Sequence, residues 1–129
     1  MKFLLLGALS AFVGVGMGAF GAHGLKTVIS PELLAVYQTG VTYQMYHALG
    51  LIGIARISHN SKLLHWAGWL MFAGILLFSG SLYSLTLLNL NWLGMITPFG
   101  GVCFLTAWLL IAVFAAKNIR SSDYNSRYH

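Results

Sequence analysis

Acidic residues are almost missing from this chain: Glu32 and Asp123 are the only two. That excludes paired-carboxylate catalysis, and it excludes a proton relay built from buried carboxylates. Cysteine occurs once, at Cys103 inside an apolar run, so no intrachain disulfide framework exists and the compartment cannot be read from it. Charged residues of both signs make up 7% of the chain, against about 25% in soluble domains. A water-facing surface could not be covered with so few. No long polar segment is present either, which leaves no room for a soluble catalytic module.

What fills the chain instead is apolar: 58% of its 129 residues, with a mean hydropathy of +0.78. Spans of about 20 residues cross a bilayer, and four fit, over residues 3–22, 33–57, 63–88 and 92–116. A polar tail over 117–129 is predicted to fray beyond its first turn. The first run follows Lys2 and ends in small residues at 19–22, as a cleaved signal peptide does. Its length and the spans after it favour a retained helix. Ser30-Pro31-Glu32 reads as a helix start, with serine as cap, proline in the first turn and an acid at the positive end of the dipole. Asn89-Leu90-Asn91 reads as a tight turn, and Pro98 with Gly100 and Gly101 predicts a kink near Phe99. Short loops force neighbouring helices to be antiparallel. The predicted fold is therefore all-α: one transmembrane domain, an up-down four-helix bundle.

The cations set its orientation. Lys2, Arg56, Lys62, Lys117, Arg120 and Arg127 fall on one side of this weave, and only Lys26 falls on the other. Cationic flanks stay cytoplasmic, so both termini are expected inside, in a multi-pass inner-membrane protein. The net charge of +5 is scattered one or two residues per loop. Anionic headgroups explain it, and nucleic acid does not. Trp66, Trp69 and Trp92 fall near predicted membrane boundaries, whereas Trp108 does not and is expected to pack against another helix.

Two groups of residues stand out. Gly7, Ser10, Gly14, Gly18 and Ala22 in the first span are spaced by four from Ser10 onward, a small-residue stripe that lets another backbone approach closely. The G-x-G-x-x-G at Gly16, Gly18 and Gly21 lies within a membrane helix and lacks the acid that a dinucleotide site needs. On the second helix, Gly40, Tyr43, Gln44 and His47 share a sector about 100° wide, with Tyr37 nearby. His47 lies about 13 Å above the inner boundary at 1.5 Å per residue. An ionisable group at that depth must face the bundle interior. Two readings stay open: a satisfied network that fixes helix register, with Ser79, Ser81, Ser84, Thr97 and Thr106 as candidate partners, or a ligand or proton site. His23 is expected near the outer interface. His59 and His65 flank the inner loop with no cysteine or acid beside them, so no metal site is expected, and no second buried histidine is available for haem.

The stretches Gly18-Ala19-Phe20-Gly21-Ala22-His23-Gly24-Leu25, Tyr37-Gln38-Thr39-Gly40-Val41 and Tyr43-Gln44-Met45-Tyr46-His47-Ala48-Leu49-Gly50 carry a resemblance, as do Phe78-Ser79-Gly80-Ser81-Leu82-Tyr83 and Thr97-Pro98-Phe99-Gly100-Gly101. The chain resembles the small membrane protein family called domain of unknown function 423, whose bacterial members are YgdD-like and YwdK-like. The resemblance implies four spans and an energy-transducing inner membrane. It supplies no reaction, and its motif residues coincide with His23 and His47.

The expected function is a non-enzymatic accessory or assembly subunit. Its partners would be the bilayer and a larger membrane complex or a second copy. The alternative is a binding or transport protein in which His47, Gln44 and Tyr43, with His23, hold a small molecule, a quinone headgroup or a proton. Gly14, Gly18, Ala22 and Gly40 are assigned to helix packing. No cofactor, no metal and no catalytic residue is expected.

Overall fold

Ser30 and Pro31 begin a helix as the sequence predicts: the Ser30 hydroxyl accepts a hydrogen bond from the Leu33 amide at 3.2 Å, and Pro31 occupies the first turn. In the computed structural model, which describes residues 1–57 and 60–128, this is the second of four helices. They are α1 (Lys2–His23), α2 (Pro31–Arg56), α3 (Lys62–Leu87) and α4 (Thr97–Tyr128). The turn around 58–62, and the reading of His59 within it, fall partly outside the described residues.

Contacts run antiparallel throughout. Tyr37, Gln44 and Ala48 of α2 meet Gly21, Ser10 and Gly7 of α1 in turn. Gly40 and Gly50 of α2 meet Tyr83 and Met71 of α3, and Gly74 and Phe78 of α3 meet Phe104 and Gly100 of α4. The result is an all-α up-down bundle in which α1 packs on α2, α4 packs on α3, and α2 and α3 join the two pairs. Lys2, Arg56, Lys62 and the basic residues beyond Ala116 lie at one end of it.

α1, α3 and the segment Asn91–Tyr128 are long and apolar enough to cross a membrane. α2 is as long, at 26 residues, but is broken up by Glu32, Gln38, Gln44, His47 and Arg56. It is also well buried, through Tyr37, Gly40, Gln44, His47, Ala48, Leu51 and Ile54. Gln44 and His47 are tolerated because neighbouring helices cover them, while Glu32, Gln38 and Arg56 are exposed; α1 and α4 present wide apolar faces outward. Toward the cationic end the interior is built on an apolar cluster that includes Phe3, Leu51, Leu64, Ala67, Met71 and Phe104.

Two expectations are corrected. The fourth helix does not run from Trp92 with a kink at Phe99. A 3₁₀ turn over Asn91–Met95 comes first, and α4 starts at Thr97. Pro98 thus sits in the first turn, where its missing amide donor costs nothing and its fixed φ fits. The tail does not fray after one turn but stays helical to Tyr128. No glycine or proline follows Gly101, the Asn118 amide donates to the Phe114 carbonyl at 2.8 Å, and the Tyr124 and Tyr128 rings pair four residues apart. The sequence also does not announce a π turn within α3, over Ile75–Ser79, that widens the helix by one residue. The turn between α3 and the 3₁₀ segment lies where expected, with Asn89 at φ 58°, a left-handed conformation that asparagine tolerates.

Candidate functional site

The polar sector of α2 divides between two sides of the helix. Gln44 points toward α1 and α3: its amide nitrogen donates to the Ser10 carbonyl at 2.8 Å, and its amide oxygen accepts from the Tyr83 hydroxyl at 2.6 Å. The Tyr83 ring packs 5.2 Å from Tyr37, whose hydroxyl donates to the Met17 carbonyl at 2.6 Å. One turn away, the Ser79 hydroxyl donates to the Gly40 carbonyl at 2.6 Å. Ser81 and Thr97 share a hydroxyl pair across α3 and α4. Among the described residues no buried side-chain nitrogen or oxygen is left without a partner. The network is closed.

His47 faces α4 instead. Its Nδ1 lies 2.6 Å from the Tyr43 carbonyl, and its Nε2 lies 3.0 Å from the Trp108 indole nitrogen. A carbonyl can only accept and an indole N–H can only donate, so the proton sits on Nδ1 and the Nε2 lone pair is taken by Trp108. The imidazole stacks on Phe104 with ring centroids 3.5 Å apart and planes 9° from parallel. Tyr43 lies parallel to both rings and 4.6 Å from Phe78.

These rings wall a cleft of about 500 Å³ that opens on the bundle surface. Tyr43, Tyr46 and His47 come from α2, Phe78 from the π turn of α3, and Phe104 and Trp108 from α4. Gly101 and Leu105 complete it. The π turn positions Phe78, whose backbone nitrogen and Cα stand where a Cβ on Gly100 would fall. The helices can approach this closely only because residue 100 has no side chain. Among the described residues none that is charged lines the cleft. The Tyr43 and Tyr46 hydroxyls find no protein partner among the described residues.

The remaining sequence-predicted residues lie elsewhere. His23 is exposed in the last turn of α1 and joins neither group. Gly14, Gly18 and Gly40 sit at helix contacts, against Met45, Val41 and Tyr83 respectively. Ala22 is exposed, and Gly21 rather than Ala22 meets the Tyr37 ring. His65 accepts from the Trp69 indole at 3.2 Å near the cationic end. Among the described residues no three histidines, cysteines or acids gather as a metal would require. The hydroxyl partners expected from the sequence do not include Tyr83, the group that holds Gln44. Phe104 carried no signal as an isolated aromatic. Trp108 did carry one, because an indole N–H far from the membrane boundary needs a buried acceptor.

Residues 17–101 match the family described as "Protein of unknown function (DUF423)". The UPF0382 membrane protein YwdK of Bacillus subtilis is 52% identical over 118 residues, covering 89% of this chain and 96% of that protein. UPF0382 membrane protein SSP2132 of Staphylococcus saprophyticus is 50% identical over 116 residues, covering 89% of this chain and 97% of its own. No solved structure matches. With a membrane bundle and a family match across most of its length, this chain belongs to the DUF423/UPF0382 family of membrane proteins.

Proposed function

We propose that this protein is a non-enzymatic membrane module that binds a small neutral molecule, admitted sideways from the bilayer, in the cleft beside His47. The observation that supports it is the cleft itself: six aromatic or imidazole rings from three helices around a space of about 500 Å³. Small-molecule sites span about 300–1,000 Å³ and are mostly apolar with a few polar groups. In this reading His47 is a wall and a brace. Both its nitrogens are engaged, so it holds Phe104 and Trp108 in place rather than coordinating the guest. No nucleophile and base stand in reach of each other at the cleft, which supports binding over catalysis.

Gly101→Leu tests it. A Cβ at Gly101 would meet nothing within 4 Å, so the new side chain has room to grow into the cleft. Replacing a helical glycine also adds roughly 0.5–1 kcal/mol of helix stability. The variant should fold at least as well as wild type and lose binding of a small aromatic probe such as naphthalene in nanodiscs. Comparing the two proteins in the same lipid cancels partition into the bilayer. Equal binding by both contradicts the proposal.

A second reading, an accessory or assembly subunit of a larger membrane complex, is supported by the outward face of α1. A shallow groove runs there along Ala8, Phe12, Val15 and Gly16, and a Cβ on Gly16 would meet nothing within 4 Å. Native purification from mild extracts decides it: a stable stoichiometric partner supports docking, and a monomer in every extract contradicts it. For either reading we propose a bacterial inner membrane with both chain ends cytoplasmic, because the cations gather at one bundle end. Thiol labelling of cysteines placed at the tail and near Lys26 tests that orientation.

A further inference from the structure

Resting on the cleft reading above, we propose that the guest is a flat, neutral, carbonyl-bearing ring of the quinone type. Three properties of the cleft select it. First, no lysine, arginine, aspartate or glutamate lines the walls, so an ionic guest would be desolvated without a counter-charge. Second, the accessible walls are aromatic: Tyr43, Tyr46 and Trp108 keep much of their surface open, and the stacked His47 and Phe104 rings lie behind them within 12° of the Tyr43 plane. Such walls favour the face of a conjugated ring over a flexible acyl chain, which gains nothing from stacking.

Third, the hydrogen-bonding capacity of the site is one-sided. His47 and Trp108 are committed to each other, and His47 is also committed to the Tyr43 carbonyl. What remains is two phenols, Tyr43 and Tyr46, whose hydroxyls have no acceptor among the described residues. A phenol in hydrocarbon is stabilised by an acceptor, and a carbonyl oxygen can only accept. A quinone-type ring supplies two such oxygens on a neutral conjugated plane. The proposal concerns binding alone and involves no electron transfer.

The test compares 1,4-naphthoquinone with naphthalene, which has the same ring frame without carbonyls, and with oleate as an acyl chain. Each is titrated against wild-type protein in nanodiscs, with Gly101→Leu nanodiscs as the reference. The quinone should bind about tenfold more tightly than naphthalene, and oleate should not displace it. Tyr43→Phe and Tyr46→Phe keep the rings and remove only the hydroxyls, so each should narrow the quinone's advantage over naphthalene about threefold. Together they should abolish the preference. Equal affinity for the two ring compounds overturns the quinone assignment while leaving the cleft reading intact, as does displacement by oleate or a preference that survives both substitutions. Failure of all three probes to distinguish wild type from Gly101→Leu overturns both readings.

Discussion

Gln44 and His47 lie one turn apart on the same helix, yet they meet opposite fates. Gln44 is held between α1 and α3 by one carbonyl and one phenol, with every polar atom nearby satisfied. His47 is as well buried, each at 4% exposure, but its outer surroundings are an open aromatic cleft. A polar group inside a membrane bundle is therefore not by itself a functional sign. What distinguishes the two is whether unsatisfied hydrogen-bonding groups and empty space lie beside it. Around Gln44 there are neither, and around His47 there are both.

The comparison can be pressed by substitution. Gln44→Ala has the largest expected effect: it strands the Tyr83 hydroxyl, removes the bond to Ser10 and leaves a void. Together these should cost about 2–4 kcal/mol, read as a lower Tm in detergent. Gly100→Val probes a rigid contact on the cleft side. Its Cβ would fall on the Phe78 backbone, so the π turn must shift, at about 1–3 kcal/mol. Guest binding should fall with it, because Phe78 is a wall of the cleft. Tyr83→Phe removes a single hydrogen bond to Gln44 and should cost about 1 kcal/mol, with binding at the cleft unchanged. Trp108→Phe should cost least, about 0.6 kcal/mol for one interhelical hydrogen bond. It keeps an aromatic wall but frees the imidazole Nε2, so guest affinity should change more than Tm does. If Tyr83→Phe disturbs binding as much as Trp108→Phe, the two faces of α2 are not separable.

Much of this fold was legible because lipid imposes strict demands. Apolar run length gave four helices, short loops made them antiparallel, and Ser30, Pro31 and Asn89 marked ends through local backbone chemistry. The hidden parts depend on contacts between distant residues. Ile75-Leu76-Leu77-Phe78-Ser79 reads as ordinary helix, and nothing local announces a π turn. Pro98 read as a kink because the preceding 3₁₀ turn, which moves the helix start, has no distinctive residue of its own. The 100° sector holding Gly40, Tyr43, Gln44 and His47 was identified correctly as a set of neighbours on one helix. A sector that wide touches more than one partner helix, so it could not reveal that Gln44 and His47 belong to different environments.

The most direct test measures Tm and bound small molecule side by side in native nanodiscs for Gly101→Leu and Gln44→Ala, by thermal melting and native mass spectrometry. Gly101→Leu should lose the bound molecule and keep its Tm. Gln44→Ala should lose several degrees of Tm and still carry the molecule below its melting point. Retention of the molecule by Gly101→Leu, or wild-type melting by Gln44→Ala, would contradict the division between a closed face and an open one.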